Sequence, residues 1–255
     1  MVLRGGKMIE KFNVTITPYL LERMIHVYLP NDYYASDEHY PVVYMFDGHN
    51  LFNDEDATYG KSWGLKDFLD QYDKKLIIVG IECNHEGNKR LDEFCPYHLP
   101  QSYLGHIHGQ GKALMDWVVS ELKPLIDHRY RTYPLRECTA IGGSSMGGLM
   151  SLYTIIKYNN IFSKAACVSP SYDLCLPRLR KDMQVATISP DTRVYLSFGT
   201  NEIRNLDNKK RSLKSFVDYF NSKHAFSYVN IIPGGNHNET SWEKENPIYM
   251  DFLWK

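Results

Sequence analysis

A serine flanked by glycines lies in the run Ile-Gly-Gly-Ser-Ser-Met-Gly-Gly-Leu, residues 141–149 of the 255-residue chain. Residues 143–147 of this run match G-x-S-x-G, a pattern in which the central serine stands on a sharp strand-to-helix turn. Glycines are needed on both sides because a side chain there would collide with the neighbouring strand or helix. The turn also places the hydroxyl at a helix N-terminus, which favours a developing negative charge. Ser145 is therefore the predicted nucleophile.

The serine needs a base within hydrogen-bond reach, and histidine is the usual one. In hydrolases with this serine turn, the acid and then the histidine follow the nucleophile along the chain. Of the ten histidines, only His224 and His237 follow residue 145. His224 ends a predicted helix, where a solvated side chain is expected, whereas His237 lies in the loop after the last predicted strand. We therefore predict that His237 is the base.

The acid is expected in the loop after the preceding predicted strand, which spans residues 199–207. Glu202 is nearest the end of that strand, Asp207 is the second candidate, and Asp173, after an earlier strand, is the third. A carboxylate in this place would orient the imidazole and stabilise its cation. Position along the loop favours Glu202 but leaves Asp207 open.

Two backbone amides are expected to hold the oxyanion. One is the amide of Met146, directly after the nucleophile, and the other comes from a loop after an early buried strand. That loop is residues 47–52, where Gly48 frees the backbone to turn a donor inward and the amide of His49 is the candidate. The imidazole of His49 is expected to be a wall of the pocket.

An irregular segment between Glu82 and the longest predicted helix is a candidate wall of the binding site, because long loops on a rigid sheet often line such sites. The predicted substrate contacts, two of them from this segment, are Trp63, Arg90, Glu93 and Tyr172. Arg90 could meet a carboxylate or sugar hydroxyls, although an internal ion pair with Glu93 is the simpler interpretation.

Aryl rings of a substrate could stack on aromatic side chains of this chain, or those side chains could equally belong to the core. The candidates are Trp63, Tyr97, Tyr172 and Trp242. The pair His106 and His108 could bind a metal ion, but two ligands without a third nearby favour a solvated loop. No metal site is therefore predicted.

The elements that must position these residues alternate between strands and helices. Two segments of alternating apolarity, 10–17 and 21–29, predict an antiparallel pair. Continuous apolar runs predict strands buried on both faces, at 42–46, 76–81, 139–141, 165–168, 194–198 and 228–232. Helical patterns fall at about 63–69, 114–126, 146–156 and 209–221, the first capped by Ser62. This order predicts a doubly wound α/β sandwich, and together with the serine turn it predicts an α/β-hydrolase fold: a mostly parallel central sheet with antiparallel N-terminal strands, helices on both faces and no large cap domain.

The composition predicts a single domain spanning residues 1–255, since 43% of the residues are hydrophobic and no linker or repeat divides the chain. The net charge of −1 gives no support for a nucleic-acid partner, and no apolar run is long enough to suggest a membrane partner. The N-terminal residues lack a signal-peptide pattern, so a cytoplasmic location is expected. Five cysteines without a C-x-x-C pair predict reduced thiols.

Four segments together resemble the putative-esterase (esterase D-like) family of α/β hydrolases. They are Asp47-Gly-His-Asn-Leu-Phe, Arg90-Leu-Asp-Glu-Phe-Cys-Pro, Gly142-Gly-Ser-Ser-Met-Gly-Gly-Leu and Gly235-Asn-His-x-x-x-Ser-Trp. This family is related to feruloyl and acetyl carbohydrate esterases, siderophore esterases and mycolyltransferases. The resemblance runs from about residue 10 to the C-terminus; the serine turn alone is shared by the whole superfamily.

The resemblance implies that Ser145 is the nucleophile, His237 the base and the amide of His49 the second oxyanion donor. The stretch Gly199-Thr-Asn-Glu is similar to the acid loop of mycolyltransferases, which raises Glu202 above Asp207. Some siderophore esterases work with a Ser/His dyad, so the acid could matter less than the other two residues.

The expected function is that of a serine carboxylesterase, forming an acyl-enzyme on Ser145 without a cofactor. Its expected partner is a small-molecule ester of an aryl (feruloyl-type), acetyl or siderophore kind. One alternative is an acyltransferase that passes the acyl group to a sugar or alcohol. Another is a catalytically silent binding protein on the same scaffold, against which the intact pair of Ser145 and His237 argues.

Overall fold

Eight strands form one sheet in the computed structural model, which describes residues 9–202 and 206–254. The strands are β1 (Ile9–Ile16), β2 (Leu21–Tyr28), β3 (Val42–Phe46), β4 (Ile77–Ile81), β5 (Thr139–Ser144), β6 (Lys164–Val168), β7 (Arg193–Gly199) and β8 (Phe226–Ile232). Their order across the sheet is β1-β2-β4-β3-β5-β6-β7-β8. β2 is antiparallel to both β1 and β4, and β3 to β8 are parallel. The predicted mixed sheet is confirmed.

Helices connect the strands. They are α1 (Leu65–Leu69), α2 (Lys89–Glu93), α3 (Gly111–Trp117), α4 (Lys123–Arg129), α5 (Met146–Lys157), α6 (Leu176–Val185), α7 (Leu206–Ser222), α8 (Glu239–Glu243) and α9 (Asn246–Trp254). A π-helical turn, Val118–Leu122, joins α3 to α4, so the two form one long helical segment. The four predicted helices correspond to α1, α3 with α4, α5 and α7. The pattern missed α2, α6, α8 and α9, of which α2 and α8 have five residues each, too few to show a helical period.

Both faces of the sheet are covered, as the continuous apolar runs predict. In β3, Tyr44 and Phe46 belong to one buried cluster, and Val43 and Met45 belong to a second on the opposite face. Residues of α3 to α7 complete the first cluster, and residues of α1 and α9 complete the second. Within the described ranges, no helix is long and apolar enough to cross a membrane.

The predicted cap of α1 is wrong. The helix begins at Leu65, and its N-cap is Gly64, whose φ of 56° lies in the left-handed region that favours glycine. Ser62 instead donates to the carboxylate of Asp54 twice, from its amide and from its hydroxyl, both at 2.7 Å. Ser62 therefore ties down the loop that precedes the helix.

The carboxyl ends of the parallel strands meet at one edge of the sheet, where an open α/β sheet places its binding site. Asp47 follows β3, Ser145 follows β5 and Ser169 follows β6. Glu202 follows β7 within one short turn, and His237 comes five residues after the end of β8. The topology therefore gathers residues from distant parts of the sequence at a single edge.

Glu245 is a buried carboxyl in the turn between α8 and α9. It is 1% exposed, and its Oε2 accepts a hydrogen bond from the Tyr195 hydroxyl at 2.6 Å. Burial raises its pKa from an ordinary 4.5 to about 7. An unfolded chain would lose this proton at lower pH than the folded chain. The free energy of unfolding therefore falls as pH rises through this window and stays lowered above it.

We expect Glu245→Gln to remove this penalty, because the amide is neutral at every pH. At about pH 8 the variant should gain up to about 3 kcal/mol in free energy of unfolding over the wild type, and at about pH 4 nothing. Urea unfolding at both pH values measures the difference. The matched control is Glu243→Gln, which changes a half-exposed acid paired with Lys61. An equal effect of Glu245→Gln at both pH values would contradict the prediction.

Candidate active site

Ser145 stands on the turn between β5 and α5 with φ 55° and ψ −116°. Positive φ is strained for a residue with a side chain, and such strain is concentrated at functional sites. The flanking glycines meet across the turn, since a Cβ on Gly143 would lie 2.9 Å from the carbonyl carbon of Gly147. This is the close approach that the sequence pattern predicts.

The amides after the nucleophile begin a helix. Ser145 uses its own amide to donate to the carbonyl of Val168 at 3.0 Å. Met146 is the first residue of α5, and the first-turn amides of a helix have no acceptor within it. The Met146 amide therefore has the position in the helix that an oxyanion donor requires.

The second predicted donor lies in a 3-10 turn, Gly48–Asn50, directly after β3. Asp47 precedes it in the left-handed conformation, with φ 59°, and reverses the chain at the strand end. A Cβ on Gly48 would lie 2.5 Å from the carbonyl carbon of Gly80, so the turn packs directly on β4 and admits only glycine. The His49 amide is in the first turn of this short helix.

His237 is held by Glu202. Its Nδ1 lies 2.6 Å from Glu202 Oε2, and Glu202 Oε1 accepts hydrogen bonds from Ser169 Oγ at 2.8 Å and from the Gly199 amide at 2.7 Å. Burial raises the pKa of Glu202, but the hydrogen bonds from His237, Gly199 and Ser169 outweigh it and hold the pKa below its ordinary value. Glu202 is therefore a carboxylate at neutral pH.

The other acid and base candidates lie elsewhere. Asp207 is exposed in the first turn of α7, and Asp173 forms an ion pair with Lys209. His224 is exposed just after α7. Of the three acids considered from the sequence, the structure brings Glu202 to His237.

Ser145 and His237 line one cleft of about 460 Å³. The imidazole is 46% exposed at the side chain, so solvent and substrate can reach it. Among the hydrogen bonds of the described residues, Ser145 Oγ pairs with Ser171 Oγ at 3.3 Å rather than with His237. Such contacts between nucleophile and base are often long before substrate binds.

Two serines that support this arrangement were missed from the sequence, and Trp242, considered there as a stacking surface for a substrate, supports it as well. Ser171 contacts the nucleophile, and Ser169 bridges Glu202 to the indole N–H of Trp242, which donates to Ser169 Oγ at 3.1 Å. The Trp242 ring lies edge-on to His237, with centroids 5.1 Å apart. The available signal was the position of Ser169 directly after β6, at the same sheet edge as the nucleophile.

Two of the predicted substrate contacts belong to the core. Trp63 is 2% exposed and packs against Trp242 and Tyr249, with ring centroids 5.8 and 6.4 Å apart. Tyr172 is fully buried, and its ring lies 5.7 Å from that of Phe198. Neither residue lines the cleft. The sequence alone could not show whether these aromatic side chains line a pocket or belong to the core.

The predicted ion pair between Arg90 and Glu93 is also wrong. Glu93 is 1% exposed and pairs with Arg23 of β2 at 2.5 Å. Arg90 instead forms a bidentate ion pair with Asp47, donating from Nε and Nη2 to the two carboxylate oxygens, each at 2.7 Å. Arg90 lines the cleft, whereas Glu93 is not among its lining residues. The segment containing Arg90 is thus tied to the turn that carries His49.

Loss of the ion pair between Arg90 and Asp47 should destabilise the protein. Burial raises the pKa of Asp47, but the adjacent Arg90 outweighs it and keeps the carboxyl ionised. Arg90→Gln would leave that buried charge unpaired, and we expect a loss of about 3 kcal/mol in free energy of unfolding at neutral pH. Urea unfolding measures it.

The control for this variant is Lys112→Gln, which breaks an exposed ion pair with Asp116 and should cost about 1 kcal/mol or less. If both variants lost the same free energy of unfolding, the pair of Arg90 with Asp47 would stabilise the protein no more than an exposed ion pair does.

A cysteine also faces the cleft, at Cys83. Burial raises the pKa of its thiol, which keeps the sulfur protonated and a weak nucleophile. All five cysteines are free, as predicted.

The sheet, its order and the serine turn define an α/β hydrolase. The family model described as putative esterase matches residues 21–248. The chain belongs to this family, and its activity class is ester hydrolysis.

The chain is also similar to individual proteins and to solved structures. Protein YbbA of Bacillus subtilis is 27% identical over 196 residues, which cover 75% of this chain and 73% of YbbA. Esterase Rv1288 of Mycobacterium tuberculosis is 30% identical over 143 residues, or 56% of this chain and 28% of that protein. An IroE-like serine hydrolase from Shewanella oneidensis shares the fold, with a TM-score of 0.72 at 20% identity over 96% of this chain and 78% of that one.

Proposed function

We propose that this protein is a serine carboxylesterase that forms an acyl-enzyme on Ser145. The observation that carries the proposal is the shared cleft: a serine on a strained strand-to-helix turn faces the same space as a histidine held by a buried carboxylate. Nucleophile, base and orienting acid are the groups that acyl transfer needs.

The proposed reaction has two steps. His237 takes the proton of Ser145 Oγ through Nε2 as the oxygen attacks the ester carbonyl, and the amides of Met146 and His49 hold the resulting oxyanion. Glu202 keeps the proton on Nδ1, which leaves Nε2 free to accept. The alcohol leaves with the proton from His237, and water then repeats the sequence on the acyl-enzyme.

The lining of the cleft favours a polar ester. Apart from the catalytic candidates, most lining side chains offer hydrogen bonds: Asn50, Thr58, Asn84, His85, Arg90, Asn238 and Glu239. Trp242 is 5% exposed and Tyr59, at 83%, stands in solvent, so little aromatic surface faces the interior of the cleft. We therefore propose a small ester whose acyl or alcohol part carries hydroxyl, amide or charged groups rather than a long alkyl chain.

A fluorophosphonate probe followed by peptide mass spectrometry tests the nucleophile. We expect one adduct per chain, on the peptide that contains Ser145, and none in Ser145→Ala. The matched control is Ser120→Ala, the same chemical change on an exposed helical serine, which should be labelled like the wild type. Equal labelling of Ser145→Ala and wild type, or failure to label the wild type, would overturn the proposal.

A panel of esters tests the substrate class. At matched acyl group, esters of polyhydroxylated alcohols should show higher kcat/KM than esters of alkyl alcohols, and octanoyl esters should be poorer than acetyl esters. The opposite order would contradict a polar substrate. Added acceptor alcohols distinguish hydrolysis from acyl transfer, and transfer that outpaces hydrolysis would make the protein an acyltransferase.

A further inference from the structure

We infer that His98, His106 and His108 form a surface site for a divalent transition-metal ion. One ring nitrogen from each of the three histidines lies within 4.8 Å of the others. The ring centroid of His106 lies 4.9 Å from that of His98 and 4.6 Å from that of His108. This site is separate from the proposed esterase chemistry and does not depend on it.

The local backbone explains why three histidines share one face. Leu99 and Ile107 form an antiparallel bridge, with reciprocal amide-to-carbonyl bonds of 2.8 and 2.9 Å. Both of these side chains are buried, at 8% and 0% exposure. Because side chains alternate along a strand, His106 and His108 on one side of the bridge and His98 on the other all lie on the opposite, exposed face.

This geometry supplies the ligand that the sequence could not show. His98 lies eight residues before His106 and ten before His108. His98 is the cross-strand neighbour of His108 because the antiparallel bridge pairs Leu99, the residue after His98, with Ile107, the residue before His108. The expectation of a solvated two-histidine loop is therefore revised.

A hydrogen bond defines the tautomer of one imidazole. His98 Nδ1 lies 3.3 Å from the carbonyl oxygen of His108, where it can donate a hydrogen bond. That bond fixes the proton on Nδ1 and leaves the lone pair of Nε2 for a ligand. Histidines that bind metal usually donate their other ring N–H to a carbonyl or carboxylate in this way.

The loop that carries the histidines is anchored to the body of the protein. The His108 amide donates to Asp92 Oδ1 at 2.6 Å, and the Gln110 amide donates to the Asp92 carbonyl at 2.8 Å. A Cβ on Gly109 would lie 2.2 Å from the carbonyl carbon of Tyr97, so the two chain segments touch beside His98. The anchoring holds the three imidazoles near each other before any ion binds.

The donor set indicates the metal. Three neutral imidazoles suit Zn²⁺, Ni²⁺ or Cu²⁺, and they offer no oxygen for Mg²⁺ or Ca²⁺. A tetrahedral zinc site needs nitrogens about 3.3 Å apart, which exposed rings within 4.8 Å of one another reach by small rotations. Solvent would take the remaining position, as the face is open.

A second group, His49, Cys83 and His85, also places three ligand atoms within 4.8 Å of one another in the cleft. It is the poorer candidate because His49 and Cys83 are both buried, and burial raises the pKa of the Cys83 thiol, which disfavours the thiolate that binds metal. The experiment must nevertheless distinguish the two groups.

Zinc titration by calorimetry at about pH 7.5, with protein lacking any polyhistidine tag, tests the site. We expect one Zn²⁺ per chain and no heat from Mg²⁺. His98→Asn, His106→Asn and His108→Asn should each weaken zinc binding about tenfold or more, since even the loss of a group that only orients a ligand costs about 10–100-fold. Circular dichroism verifies that each variant is folded.

Two further variants decide where the ion binds. His128→Asn removes an exposed helical histidine and should leave zinc affinity unchanged. His85→Asn should leave it unchanged as well. Absence of zinc binding to the wild type, unchanged affinity in the three loop variants, or loss of binding in His85→Asn alone would overturn the inference. With Co²⁺ in place of zinc, visible absorption that disappears in His106→Asn gives an independent readout of nitrogen ligation.

Discussion

Ser145→Ala is expected to lower kcat for ester hydrolysis by about 10⁴- to 10⁶-fold, with little change in the free energy of unfolding. The hydroxyl is the proposed nucleophile, and no other described hydroxyl in the cleft stands on a turn with positive φ at the start of an α-helix. Alanine also retains the Cβ, so the turn loses only the oxygen. Initial rates with a chromogenic acetyl ester measure the effect, and urea unfolding verifies the fold.

The proposed base, His237, is tested together with the nucleophile. If Ser145 and His237 act as one unit, His237→Ala alone should cost about as much as Ser145→Ala, and the double variant should be no slower than either. Ser120→Ala provides the matched control and should retain wild-type kcat. Additive losses in the double variant, or more than about a hundredth of the wild-type rate in Ser145→Ala, would contradict the mechanism.

Glu202→Gln is expected to lower kcat by about 10³- to 10⁴-fold, although it is nearly the same size and shape as the native side chain. The reason lies in the hydrogen bonds to the two carboxylate oxygens. Oε1 accepts from both Ser169 and the Gly199 amide, whereas Oε2 faces His237 Nδ1. The amide oxygen of glutamine would be held at the first position by two donors.

The glutamine NH₂ would then face His237 Nδ1 and donate to it. This fixes the imidazole with its proton on Nε2, which can no longer accept the proton of Ser145. The same substitution removes the negative charge that stabilises the imidazolium. The loss should therefore appear in kcat rather than in KM, because the substrate contacts are unchanged.

The matched control is Asp207→Asn, an equivalent acid-to-amide change at the exposed residue that the sequence left as a second candidate. It should retain wild-type kcat. Ser169→Ala, which removes one of the two donors, should fall between the two. If Glu202→Gln retained its rate, the protein would work as a Ser/His dyad; if Asp207→Asn lost it, the acid would be misassigned.

Much of the fold could be predicted from the residues alone. Every strand of the described residues was found, because continuous apolar runs such as Val42–Phe46 and Ile77–Ile81 are short, rich in β-branched or aromatic residues and bounded by turn residues. Helix α7 was found from its amphipathic stripe, whereas α5, which is buried along nearly all of its length, was found from the apolar residues that follow the serine turn. Helix α9 was missed because it is apolar on nearly every side and lacks such a stripe.

Side-chain partners could not be predicted in this way. Arg90 and Glu93 are three residues apart, the spacing that suggests a pair, yet Arg90 bonds to Asp47, 43 residues away, because the turn after β3 reverses towards it. Trp63 and Tyr172 are large aromatic residues that the sequence predicts as substrate contacts, and only the tertiary structure shows that both are buried. His98 became a partner of His108 through a single bridge between two loop segments.

The sequence by itself determined which residue is proposed as the nucleophile, because the glycines around Ser145 allow one kind of turn and the order of elements restricts the candidate base and acid to short loops. It also determined the family. Only the tertiary structure decided which oxygen of Glu202 faces the imidazole, what lines the cleft and which histidines meet at the surface. Those facts depend on the spacing and direction of side chains from distant strands, which local propensity does not encode.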